Sequence, residues 1–419
     1  MRILVHGINY SPELVGIGKY TGEMASFLVE HGHQVRVVTA LPYYPDWRVQ
    51  PGYSPWKYHQ ESLEGVYIYR CPIFVSNKPS GLKRIFHLAS FAITSAPLIF
   101  AQAAWKPNLV MSIAPAIAGA PFAWLTARLA GCPAWLHIQD FELDAAINLD
   151  MLPGSKQSKS FHFLTGILQF LEIWLLNRFD RLSSISQRML DHLLQKGIPA
   201  VKTSLLPNWV DCQVIFPLTS SSPYRAEWGL KPDQILVLYA GSMGQKQGLE
   251  LLLQAAQIMQ NATSDSPDKR LVFVLCGEGT AHQELEKQAI GLKNVIFSPL
   301  QPAERLNELL NAADIHVLLQ RPVVADRVMP SKLTGILASG KPVIATADPG
   351  TELAQVIEQV GLLVPPDNLK SLCTALRTLV DQPALCDELG SKGRRFAQDH
   401  WDKKLVLNNF MMQLESLRV

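Results

Sequence analysis

Charge is scarce in this 419-residue sequence, where Asp, Glu, Lys and Arg supply 18% of the residues and leave a net charge of +2. No bulk attraction to nucleic acid follows from that balance, and nucleic acid is set aside as a partner. Cysteine is rare and unpatterned. Cys71, Cys132, Cys212, Cys276, Cys373 and Cys386 form no C-x-x-C and have no nearby His at zinc spacing. They read as buried thiols in a reducing compartment, and no metal is expected. No secretory leader is expected either: one Arg and then only Ile3-Leu4-Val5 precede His6-Gly7, too short for a signal-peptide core, so a cytoplasmic location is the expectation. What the chain has in quantity is apolar sequence, 48%, and length enough for two or three domains with a core each.

Arg2 to His6 is a short apolar run closed by Gly7, and Tyr20, Met24, Phe27 and Leu28 follow at helical spacing up to Gly32. With Gln34 to Thr39 they predict a βαβ unit whose strands are parallel by the right-handed crossover rule. Between strand and helix lie Gly16 and Gly18, in a segment that departs from a dinucleotide fingerprint by a late third glycine. It reads either as a weak nucleotide motif or as a turn that lets backbone approach a ligand. The long loop after the second strand carries Tyr43, Tyr44, Asp46 and Trp47. Such loops either pack on their own domain or contact sugar or lipid head groups.

Ile85 to Trp105 is nearly continuous apolar sequence behind Lys83-Arg84 and approaches a membrane span in length. Because polar residues interrupt it and a βαβ pattern resumes at Leu109 to Ile113, Ala116 to Ala130 and Ala134 to Ile138, it reads as a buried or interfacial helix. Phe161 to Phe179 is a second apolar segment, behind Lys156 and Lys159. The two predict either core helices or a peripheral contact with an anionic bilayer at the inner face of a plasma membrane. The pattern breaks at Pro207-Asn208-Trp209, and Pro217 to Pro223 has linker composition. Strand and helix signals then alternate from Ile235 to Ala345. Two doubly wound α/β domains are therefore expected, over 1–206 and 207–401, with the run at 402–419 packing back on the first.

Ligands in open parallel sheets bind beyond the carboxyl ends of the strands. In the second domain those positions hold Gly241-Ser-Met-Gly244-Gln-Lys246, Gly277-Glu278-Gly279, and Pro330-Ser331-Lys332 at a helix start. Glycines there would let backbone N–H groups approach an oxyanion, and Ser331 would cap its helix. Lys332 in a first helical turn opposes the helix dipole, which makes sense beside a more negative ligand such as a diphosphate. In the first domain His137 and Asp140 follow a strand and could orient or deprotonate an acceptor hydroxyl.

The ensemble Asn9-Tyr10-Ser-Pro-Glu13, Gln139-Asp140, Pro207-Asn-Trp-Val-Asp211, Tyr239-Ala-Gly241, Gly277-Glu-Gly279, Pro330-Ser-Lys332 and Gly340-Lys-Pro342 resembles family 4 glycosyltransferases, nearest the colanic-acid-type exopolysaccharide branch. The resemblance implies a GT-B fold, two tandem Rossmann-like domains facing across a cleft. It also implies sugar transfer from a nucleotide-sugar donor to a lipid-linked or saccharide acceptor, with retention and no metal. Asp140, His137, Lys246 and Lys332 become the catalytic candidates. Ser242, Pro299, Leu300, Arg321, Arg327 and Glu352 join the glycine loops and Ser331 on the donor side, while Gly16, Gly18, Tyr43 and Tyr44 lie on the acceptor side. Two departures stand out. The family's paired glutamates fall on Arg327 and Gly335, and its arginine in the first donor loop is Ser242, so Lys332, Arg321 or Arg327 is expected to neutralise the leaving diphosphate. The missing glutamates leave open a non-catalytic nucleotide-sugar-binding subunit, and the fold leaves open a nucleotide-sugar epimerase.

Overall fold

A computed structural model describes residues 1–13, 16–76, 81–115, 117–144, 159–263, 266–321 and 329–418. The chain divides into two compact units, Met1–Pro207 with Leu407–Val419, and Asn208–Val406.

The first unit is an eight-stranded sheet. Its strands are β1 (Arg2–Gly7), β2 (Gln34–Ala40), β3 (His59–Leu63), β4 (Val66–Cys71), β5 (Leu109–Ala114), β6 (Ala134–Ile138), β7 (Arg181–Ser184) and β8 (Thr203–Leu205). They lie in the order β3-β4-β2-β1-β5-β6-β7-β8, parallel except for the antiparallel pair β3 and β4. That hairpin turns on Glu64 and Gly65, both at positive φ (51° and 79°), the backbone a two-residue hairpin needs. The helices are α1 (Gly16–Glu30), α2 (Gly81–Ala101), α3 (Ala120–Ala130), α4 (Lys159–Arg178) and α5 (Gln187–Gln195). From β1 to β2 the chain steps one way along the sheet, and from β4 onward it steps the other way. Right-handed crossovers therefore place α1 on one face and α2 to α5 on the opposite one. Ile99 of α2, Ala123 and Ala127 of α3, Leu176 of α4 and Leu193 of α5 duly share one apolar core with β1, β5 and β6.

Gly16, Gly18 and Gly22 are not in a turn but in the first turns of α1. A Cβ on Gly18 would stand 2.8 Å from Glu13 Cβ, and one on Gly22 2.1 Å from Ser11 Oγ. The glycines let the helix start press against the loop that leaves β1.

The second unit is a six-stranded parallel sheet in the order β11-β10-β9-β12-β13-β14. Its strands are β9 (Ile235–Ala240), β10 (Leu271–Cys276), β11 (Val295–Ser298), β12 (Ile315–Leu318), β13 (Val343–Thr346) and β14 (Leu362–Val364). Its helices are α6 (Pro223–Glu227), α7 (Glu250–Gln260), α8 (His282–Gln288), α9 (Leu306–Ala312), α10 (Lys332–Ala338), α11 (Glu352–Val360), α12 (Leu369–Asp381) and α13 (Pro383–His400). The Pro217–Pro223 stretch, expected as a linker, is bound to α9: Leu218 N–H donates to Asn311 Oδ1 (2.9 Å) and Ser222 Oγ to the Glu308 carbonyl (2.7 Å). The last helix, α14 (Lys403–Glu415), ends in the first unit, where Phe410 meets Trp135 edge-on at 5.2 Å.

Candidate active site

In the second sheet the strand order reverses between β9 and β12, the switch point at which open α/β sheets take their ligands. The loops after β9 and β10 interlock there. Gly241 N–H donates to the Cys276 carbonyl, Met243 N–H to that of Glu278 (both 2.8 Å) and Gly277 N–H to that of Ser298 (2.9 Å). A Cβ on Gly277, at φ +142°, would lie 2.0 Å from the Gly241 carbonyl oxygen. Glycine is required here for one loop to sit on another. The N–H groups of Gly241, Met243 and Gly277 are held by carbonyls and that of Gly244 by Gln247 Oε1 (3.1 Å), so these four are taken up within the loops.

Formal positive charge at this edge comes from side chains. Lys332, at the start of α10, runs beneath the first loop, where a Cβ on Gly241 would come within 2.2 Å of its Cε. Its ammonium donates to Tyr239 Oη at 2.8 Å, and that phenol donates onward to the Ser242 carbonyl at 2.5 Å. Among the described residues no carboxylate pairs with Lys332, and burial brings its pKa down to about 8. A half-buried cation without a counter-charge is costly unless an anion arrives. Arg321, at the exit of β12, lies beside the same loop: its N–H donates to the Lys246 carbonyl at 3.0 Å and its guanidinium reaches Glu250 at 3.2 Å.

The remaining donor-side candidates divide by exposure. Ser242 and Lys246 are exposed, and Leu300 is 54% exposed next to Pro299, whose carbonyl accepts from Gln301 Nε2 at 2.7 Å. Glu278 holds His282 Nδ1 at 2.8 Å, and Gly279 packs on the Met243 backbone. Ser331 does not cap α10 with its side chain; its carbonyl instead accepts from Thr334 Oγ1 at 2.8 Å. Glu352 opens α11, where its charge suits the helix dipole and Thr351 supplies the cap. Gly335 faces Leu310, whose Cδ1 would lie 3.3 Å from a Cβ there. Arg327, with Asp326 and Val328, lies outside the described residues.

The first sheet reverses between β1 and β5. Here the structure brings together a group that the sequence reading quoted for the resemblance but gave no role. Glu13, 2% exposed, accepts from the N–H groups of Tyr43 and Tyr44 (both 3.0 Å) and from Asn9 Nδ2 (2.8 Å). Burial outweighs those bonds and raises its carboxyl above the usual range. On β1 itself, His6 donates to or accepts from Ser95 Oγ at 3.0 Å and stacks on Phe91. The signal available was the Asn9-to-Glu13 segment itself, placed directly after a strand.

Two acceptor-side expectations are corrected. Tyr43 is buried against Trp47 and His87, so its ring serves the core rather than a ligand, while Tyr44 is only partly buried and packs near Gly16. His137 points into the sheet, where its Nδ1 lies 2.9 Å from Ser183 Oγ and burial lowers its pKa to about 3. A proton taken at pH 7 would be held weakly by such a ring. Asp140 is exposed at the carboxyl edge of β6. Farther along the same segment, Glu142 accepts from Ile117 N–H at 2.8 Å and Asp144 from His192 at 2.7 Å.

A cavity of about 480 Å³ lined by Lys231, Lys269 and Arg270 lies at the amino edge of β9 and β10, away from these loops. Among the described residues no three His, Cys, Asp or Glu side chains gather as a metal site would require.

Two family profiles match the chain, a glycosyl transferase 4-like domain over residues 15–209 and glycosyl transferases group 1 over 220–396. The putative colanic acid biosynthesis glycosyl transferase WcaI of Escherichia coli is 38% identical over 98% of this chain and 99% of its own. Among solved structures, sucrose-phosphate synthase from Thermosynechococcus elongatus superposes with a TM-score of 0.73 at 17% identity, covering 100% of this chain and 99% of that one. Anabaena HepE in complex with UDP-glucose does so with a TM-score of 0.69 at 16% identity, covering 99% and 100%. Two parallel-sheet units of this topology, with that identity to a relative along nearly the whole of both chains, make this protein a member of the family 4 glycosyltransferases of the GT-B fold.

Proposed function

We propose that the chain is a cytoplasmic enzyme of exopolysaccharide or other cell-surface polysaccharide synthesis. It would move a sugar, with retention, from a nucleotide-diphosphate sugar to a lipid-linked or saccharide acceptor. The observation that carries the reading is Lys332, a half-buried ammonium with no carboxylate partner among the described residues, under the loops at the switch point of the second sheet. A diphosphate arriving there supplies the missing negative charge. Lys332 then stabilises the oxyanion that grows as the sugar leaves, with Lys246 and Arg321 on the neighbouring loop adding charge from the side chains that remain without the family's arginine and glutamates, and no metal ion is required. The exposed Asp140 is the residue proposed to receive the acceptor hydroxyl in the first unit. A WcaI relative supports the polysaccharide setting, and the HepE complex makes UDP-sugars candidates beside GDP-fucose and GDP-mannose.

The test is a thermal-shift titration with GDP, UDP and dTDP, followed by product analysis with the matching nucleotide sugar. One base should stabilise the protein by roughly 2–3 kcal/mol at a hundredfold excess over Kd, and Lys332→Ala should lose the effect. Equal shifts in wild type and variant would remove Lys332 from the donor site. Nucleotide binding without release of sugar to any acceptor would favour the non-catalytic subunit that the missing glutamates suggest.

A further inference from the structure

α4 is apolar on two sides. Leu175 and Leu176 face the sheet, while Phe163, Ile167, Phe170, Leu171 and Trp174 form a second stripe that faces water. A helix apolar all round is normally covered on all sides. The neighbouring helices of the same face extend the stripe. Leu129 of α3 and Phe86 and Ile93 of α2 are 64–71% exposed, and the three helices adjoin through Phe100 on Phe122 and Trp124 on Trp174. Exposed apolar side chains gathered on three adjoining helices of one face mark a docking site.

Charge identifies the occupant. α2, α3 and α4 together contain one carboxylate, Glu172, and it is buried in an ion pair with Lys196. The water-facing charges on these helices are cations. Lys83 and Arg84 stand exposed at the start of α2, and Arg178 at the end of α4 lies over the rings of Trp174 (4.8 Å) and Trp124 (5.7 Å). Lys156 lies outside the described residues. A second copy of the chain would set these cations against cations. An anionic lipid surface satisfies both halves of the pattern, taking the aromatic and aliphatic stripe at the acyl boundary and the Arg and Lys side chains among the phosphates.

We propose that the α2–α3–α4 face of the first unit is a peripheral docking surface for an anionic bilayer, lying flat on the membrane rather than crossing it. α2 is long and apolar enough to span one, but Phe91, Ala92 and Ile99 tie it to the core. The inference is independent of the donor site. Full-length protein is floated with vesicles of phosphatidylcholine alone and with equal mixtures of phosphatidylcholine and phosphatidylglycerol, at low and high salt. Wild type should rise with the mixed vesicles, less at high salt and much less with phosphatidylcholine alone. Phe163→Glu with Phe170→Glu should cut flotation by about tenfold or more, whereas Ile290→Glu, at an exposed apolar residue of the second unit, should leave it unchanged. The nucleotide-dependent thermal shift, measured on each variant, reports folding and the donor site separately. Wild type that never floats, or the double variant floating as well as wild type, overturns the proposal. So does a concentration-dependent dimer abolished by Phe163→Glu with Phe170→Glu in a protein that ignores vesicles.

Discussion

On the proposed function, Lys332 acts on stability and on binding with opposite signs. Burial lowers its pKa from 10.5 to about 8. Between those values the unfolded chain binds a proton that the folded chain does not, so stability rises as pH climbs through that window. Below pH 8 the buried charge costs roughly 3 kcal/mol. Lys332→Met should therefore raise the melting temperature of the nucleotide-free protein at pH 7 while removing its response to nucleotide. A lower melting temperature would mean that the ammonium already has a stabilising partner. Three histidines work at the acid end. Burial lowers His6 and His137 to about 3 and His316 to about 4. Each is neutral when folded and takes up a proton when unfolded below pH 6.5, so stability is full above 6.5 and falls toward those values. Urea midpoints at pH 7 and pH 5 measure this; equal midpoints would show that the rings are not buried as neutral groups.

Among the elements, the interlocked glycine loops are the least tolerant. Gly277→Ala puts a methyl group on the Gly241 carbonyl at a φ that disfavours any side chain. It should lower stability by on the order of 3 kcal/mol and abolish the nucleotide shift. Gly166 in α4 has nothing within 4 Å of a Cβ, and Gly166→Ala should stabilise by up to about 1 kcal/mol in the same melts. Phe410→Ala, which strips the cover from Trp135, should cost about 3–5 kcal/mol. The strands legible in the sequence were those with continuous apolar runs, such as β1, β5, β9 and β10, since burial on both faces leaves that imprint. β3 (His-Gln-Glu-Ser-Leu), β7 (Arg-Leu-Ser-Ser) and β8 (Thr-Ser-Leu) lack it, and the Glu64-Gly65 turn is not one of the dipeptides that announce a hairpin. The same limit governed the site. Lys332 stood out as a candidate because a cation in a first helical turn contradicts local electrostatics. Tyr239 did not, because a tyrosine ending an apolar strand looks like core. For His137 no local signal told which way the ring points; its register opposite Ser183 decides that.

At the scale of the molecule, the second unit runs unbroken from Asn208 to Val406. The two ends of that span are paired with each other: Val210 N–H donates to the Trp401 carbonyl and Lys403 N–H to that of Val210, both at 2.9 Å. Expressed alone, residues 208–406 should fold and melt cooperatively and, on the proposed function, retain the nucleotide shift. A broad, non-cooperative melt would show that the unit depends on the rest of the chain. Because entry and exit share one seam, the unit has the layout of a cartridge: a gene exchange with both crossovers at that seam would, on the proposed function, replace the whole donor-recognition half at once. On that reading, a lineage changes which activated sugar it uses and keeps the whole of its first unit.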